Sequence, residues 1–186
     1  MIYPGEVAWY ATGRFYVSSK DQSLFDAGFF IHLAGIDGSL FANDTVNEAN
    51  AFFTFAAEPF TAKPYTNGAL ALGLDTVGGF SVYLQNDPCG TFEDPSSFAK
   101  GRCIATFERV SVVVGATVGT AVLSNAFSAR LASSTPFEFC GVTYDLAELL
   151  PHGITQWGTA SPQAIAPPPA GYSTVLPFIG SAIKVG

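Results

Sequence analysis

The stretch EVAWYATGRFYVS, residues 6–18, alternates with a period of two. Its odd positions Val7, Trp9, Ala11, Phe15 and Val17 make an apolar face. Its even positions Tyr10, Thr12, Arg14 and Tyr16 make an amphipathic one. Successive side chains of a β-strand point to opposite faces, so this pattern predicts a long, half-buried strand.

The same reading extends along the chain. GFFIHLAGIDGSLFA, residues 28–42, carries Asp37-Gly38 between apolar runs, a type I′ hairpin signal. NAFFTFAAE, residues 50–58, reads as a strand with Phe53 and Phe55 on one face. Asn67-Gly68 marks a turn, and ALALGLDT with FSVYLQN predicts a hairpin across Val77-Gly78-Gly79. CIATFERVSVVVG, residues 103–115, is a long β-branched strand, and residues 117–132 continue as one or two more. FEFCGVTYDL predicts a short hairpin around Gly141, DLAELL a helical turn stopped by Pro151, and ITQWGTA a strand. SPQAIAPPPAG, residues 161–171, is a proline-rich connector to a last strand, YSTVLPFIGSAIKVG, in which Pro177 suggests an edge or a bulge.

About nine or ten strands punctuated by Gly, Asn and Pro predict an all-β protein, mainly antiparallel. The 17 phenylalanines favour a closed or nearly closed β-barrel, whose interior they would line. A two-sheet jelly-roll sandwich is the runner-up. The expected architecture is similar to calycin-like and allene-oxide-cyclase-like barrels, a likeness of shape that no motif carries. Residues 1–186 are read as a single domain, which suits the length.

Composition narrows the function classes. Hydrophobic residues are 48% and charged residues 12%, half the usual charged fraction of about 25%. Mean hydropathy is +0.31. That apolar excess belongs in a subunit interface or around an apolar cavity. The net charge is −7 and the eight basic residues are scattered, which argues against nucleic-acid binding. No apolar run reaches the roughly 18 residues of a membrane span, and no signal peptide is visible, so a cytoplasmic location is expected. A mature secreted form would read the same way. Cys89, Cys103 and Cys140 form no CxxC pair, which disfavours zinc and suggests reduced thiols, although a Cys89–Cys103 bridge is conceivable. Nucleotide-binding, metalloprotease and serine-hydrolase motifs are absent.

NDPCGTFEDPSSFAKGRC, residues 86–103, reads as an ordered loop or lid. Asp94 is an N-cap, Pro95 the first residue of a helical turn, and Phe98 and Phe92 would pin that turn to the body. Calcium on Asn86, Asp87, Glu93 and Asp94 is the sharper alternative, but the spacing does not match a calcium loop, and no metal is expected.

Chemistry is expected from isolated polar residues in apolar strands. His32 suits general acid–base catalysis near neutral pH. Glu108 and Arg109 are neighbours in a strand, so they point to opposite faces, and the inward one must be paired. It would form an internal ion pair, with Arg14 or Asp75 as examples, or serve as an acid or an oxyanion holder. Tyr10, Arg14, Tyr16, Phe30, Phe53 and Phe55 are candidate substrate contacts. His152 is assigned to the end of the short helix. The resulting expectation is a cofactor-independent isomerase, cyclase or lyase acting on an apolar small molecule. A non-catalytic binding protein for a lipophilic ligand is the alternative, and a structural or assembly subunit the third. A homo-oligomer fits all three.

Overall fold

The computed structural model describes residues 2–61, 63–67, 70–75, 78–117 and 123–186. Its strands are β1 (Val7–Ser18), β2 (Leu24–Leu33), β3 (Phe53–Ala57), β4 (Lys63–Asn67), β5 (Leu70–Asp75) and β6 (Gly79–Leu84). They continue with β7 (Arg102–Thr117), β8 (Leu123–Ser134), β9 (Phe137–Phe139), β10 (Val142–Tyr144), β11 (Ile154–Ala160) and β12 (Tyr172–Lys184). One α-helical turn, α1 (Leu146–Leu149), is capped by the Asp145 side chain. The large sheet runs β4-β5-β7-β6-β3-β2-β1-β12-β11-β8, and β8 pairs back onto β7. That last pairing closes an eight-stranded antiparallel barrel of β7, β6, β3, β2, β1, β12, β11 and β8.

The alternation in residues 6–18 holds in β1: Trp9 and Ala11 are buried in the lumen and Tyr10 is exposed outside. β1 and β2 approach closely where Gly13 faces Gly28. A Cβ on Gly28 would lie 2.9 Å from the Phe55 ring, so glycine there leaves the lumen to aromatic side chains.

Three local expectations give way. Asp37-Gly38 makes no hairpin, because β2 ends at Leu33 and the chain turns into a loop that packs on α1 and the β9–β10 hairpin. β5 and β6 do not pair with each other. Both pair with β7 in one register, Asp75 with Val112 and Gly79 with Glu108, so they lie end to end along the same edge. Val77 of that junction and Gly68 of the β4–β5 turn lie outside the described residues. Pro177 sits inside a central strand. Its carbonyl accepts from the Ser161 N–H beyond the last β11 pair, so its missing N–H interrupts no ladder.

The barrel ends differ. At one end, β9–β10 and α1 fill the opening, with Phe53 against Phe137 and Phe139. At the other, Val17, Leu24, Phe60, Ala160 and Leu176 surround an apolar mouth.

The 86–103 loop covers the barrel's outer wall rather than an end. Its 3-10 turn, Pro95–Ala99, is capped by Asp94 as expected. Thr54 donates to the Phe98 carbonyl (2.6 Å), and Gln85 Nε2 donates to Thr54 Oγ1 and the Ser97 carbonyl, both at 3.1 Å. Phe92 packs on Phe29 and Phe98, under the Arg14 guanidinium at 4.3 Å. The result is a second apolar core outside the barrel. All three cysteines are exposed free thiols.

Tyr16 is fully buried in that outer core and donates to the Phe92 carbonyl (3.1 Å). Burial pushes its phenol well above its ordinary value of 10.0, with nearby Arg14 opposing the shift. Up to about pH 9 the phenol is neutral in both folded and unfolded chains. Above it, ionisation favours the unfolded chain, so stability falls as pH rises. Denaturant titrations from pH 8 to pH 11 are expected to show that loss, and Tyr16→Phe should lose less over the same interval. At pH 8 the variant should be about 1 kcal/mol less stable, through its missing hydrogen bond.

Candidate functional site

β7 turns Phe107 and Arg109 into the lumen and leaves Glu108 exposed. β2, three strands away round the wall, turns Asp26 and Phe30 inward. The two charges meet across the barrel: Arg109 Nη2 donates to Asp26 Oδ1 at 2.9 Å and Oδ2 at 3.2 Å. The side chains are only 3% and 8% exposed, so the pair is effectively dry.

Aromatic rings form its surroundings. The guanidinium carbon lies 5.0 Å from the Phe60 and Phe127 ring centroids and 5.6 Å from that of Phe80. A cation over a ring face is attracted by the ring quadrupole, which offsets part of its lost hydration. Trp9 packs edge-on against Phe30, Phe80 and Phe107, and its indole N–H donates to Gln156 Oε1 (3.1 Å).

Two polar atoms of this region remain unpaired. Arg109 Nη1 and Asn125 Oδ1 are buried without a hydrogen-bond partner. Native interiors leave few such atoms, and each calls for an explanation: strain, a bound water or ion, or a catalytic role.

The free space falls into three neighbouring parts that share lining residues. Beside the pair, Trp9, Phe30, Phe55, Phe80 and Phe127 leave a crevice with room for about one water. Nearer the mouth, Phe15, Phe60, Asn125 and Phe178 border a second space of the same size beside the same pair. The mouth itself, about 160 Å³, shares Phe15, Phe60 and Asn125 with that inner space. The ion pair therefore lies behind an apolar mouth.

Arg109, Phe30 and Phe55 meet at this site. Phe53 is inside too, but packs against the closed end. Of the other candidates, His32 is exposed on the outer face, its ring tilted against that of Tyr10 with centroids 5.7 Å apart, because a bulge between Tyr10 and Ala11 shifts the phase of β2. Glu108 is also outside. Tyr10, Arg14 and Tyr16 sit on the outer side of β1, the last two under the 86–103 loop. The inward member of Glu108–Arg109 does form an internal ion pair, but with Asp26 rather than Arg14. The Asp75 side chain lies outside the described residues. His152 is exposed.

Asp26, Asn125 and Gln156 escaped the sequence reading. A signal existed for two of them: Asp26 shares the period-two phase of Phe30 in LFDAGFF, and Gln156 that of Ile154 in ITQWGTA. A polar residue on an apolar phase is a buried polar residue. Among the described residues no three His, Cys, Asp or Glu side chains converge as a metal set. No described helix is long and apolar enough to cross a membrane.

Comparison of the chain with protein-family models, curated proteins and solved structures finds no match.

Removing one member of a buried pair strands the other charge, whereas removing both does not. Arg109→Met is expected to destabilise the protein by about 3–5 kcal/mol in urea titrations. The double variant Asp26→Leu/Arg109→Met should recover most of that loss. A single variant as stable as the parent would show that the pair is not dry.

Proposed function

We propose that the chain is a cofactor-independent enzyme of the isomerase, cyclase or lyase type, acting on an apolar small molecule held in the barrel. The observation that carries this reading is the dry Arg109–Asp26 pair at the base of an apolar mouth. A carboxylate and a guanidinium in a space closed to bulk water suit proton transfer next to a carbonyl. Asp26 takes a proton from the carbon beside the substrate carbonyl, and Arg109 holds the oxygen of the resulting enolate. Asp26 then returns the proton to another carbon of the same molecule. The net change is an isomerisation that consumes no oxidant or reductant. Ring closure or elimination follows from the same enolate when an electrophilic carbon or a leaving group lies beside it. The aromatic wall contributes shape and orientation. His32 and Glu108, on the outer surface, take no part in this scheme.

Because the substrate is unidentified, the test is untargeted. The protein is incubated with an organic-solvent extract of cells and the mixture followed by chromatography and mass spectrometry. The expected result is conversion of one feature into another of equal mass, or into two fragments, slowed at least about 10²-fold by Asp26→Asn. A small molecule retained in native mass spectra without any conversion would overturn catalysis and leave a binding protein for a lipophilic ligand.

A specific observation supports the assembly reading as well. Trp157, Ser181, Tyr10 and His32 form one lateral row across β11, β12, β1 and β2. Trp157 and Tyr10 are 49% and 44% exposed, and nearby Ile179 is 58% exposed. Such a face suits a second copy of the chain. A solution mass at a clear multiple of 19.5 kDa, reduced to the monomer by Trp157→Glu, is expected if this row is an interface. A monomeric parent protein would overturn it.

A further inference from the structure

The two unpaired buried atoms specify the polar end of the ligand, an inference that rests on the mouth being a ligand site. Arg109 spends Nη2 on both Asp26 oxygens and leaves Nη1, a donor, without a partner. Arg109 is 4% exposed, so bulk water does not supply one. Asn125 Oδ1 is an unpaired acceptor on β8. Its place depends on Gly158 of the neighbouring strand, where a Cβ would come within 2.7 Å of that oxygen. Asn125 and Arg109 border the same inner space, and Asn125 also borders the mouth.

A molecule entering from the mouth therefore meets an acceptor and a donor together, behind a wall of Phe15, Val17, Leu24, Phe60 and Leu176. The Arg109–Asp26 pair is already charge-balanced. An anionic head group would add an uncompensated charge to a dry aromatic space. We infer that the barrel takes a neutral molecule with an apolar, ring-sized body and a polar end that pairs a carbonyl with an adjacent O–H or N–H. Amides, hydroxy-ketones and enols of 1,3-dicarbonyl compounds share that chemistry. The carbonyl accepts from Arg109 Nη1 and the O–H or N–H donates to Asn125 Oδ1.

Four probes separate the contributions: 2-naphthamide, methyl 2-naphthoate, naphthalene and sodium 2-naphthoate, each titrated calorimetrically into the full chain. Each hydrogen bond is worth roughly fivefold in affinity. The ester should bind about fivefold more tightly than naphthalene, and the amide about 25-fold more tightly. The carboxylate should bind more weakly than the amide. In Asn125→Leu the amide should fall to the affinity of the ester while naphthalene is unchanged, which also shows that the variant is folded. Should that variant not fold, the ranking of the four probes on the parent protein decides alone. Naphthalene binding with no preference for the amide, or a preference that survives Asn125→Leu in the folded variant, would overturn the assignment of the polar end and leave the apolar site standing. Tighter binding of the carboxylate would overturn its neutrality. Failure of all four probes to bind would overturn the mouth as a ligand site, and this inference with it.

Discussion

Closing eight strands into a barrel creates a lumen that side chains must fill, and this chain fills it mostly with rings. Rings need wall positions without Cβ atoms, and Gly13 and Gly28 face each other across β1 and β2 where Phe55 and Phe178 pack. Rings also cannot tile a cylinder completely. The crevices they leave run towards the mouth, while the opposite end is sealed by the β9–β10 hairpin. Architecture alone thus makes the interior a one-ended space.

Into that space the fold places one cation and one anion from opposite walls. Such a pair is costly to desolvate, and an apolar substitute would often be as stable. On the proposed reading, its role is what charge can do in a dry aromatic setting rather than what it adds to stability. The geometry is consistent with this: one nitrogen of Arg109 donates to both carboxylate oxygens, and another has no hydrogen-bond partner.

Much of the architecture was legible in the sequence because period two is a physical consequence of the pleat. β1, β3, β9, β10 and β12, the Asp94 cap and the inward fate of one member of Glu108–Arg109 all follow from local pattern. The misreadings have separate causes. His32 faces outward because a one-residue bulge shifts the phase of β2, and no composition signal announces a bulge. β5 and β6 were expected to fold on each other because a glycine turn looks the same whether a ribbon reverses or merely bends. Tyr10, Arg14 and Tyr16 lie on a predicted face, but alternation does not say which face is the lumen. Asp26 joins Arg109 only through closure, a non-local event that sets β2 across the lumen from β7, whereas Asn125 comes from β8, the next strand, which pairs with β7.

The loop over residues 86–103 gives the barrel an uneven wall. Ala27 and Phe29 of β2, and all of β3, are buried by a core on each side, whereas β11 exposes Trp157 and Thr159 to solvent. A wall clamped on both faces resists deformation, and one clamped on a single face is free to breathe. β11, with Gly158 against Asn125 of β8, is therefore the side with packing on one face only. If the barrel takes a ligand as proposed, widening of a lumen that holds about one water at rest would fall there, next to the mouth, and spare the Asp26 wall. On that proposal, the wall that admits the ligand and the wall that carries the base are different walls.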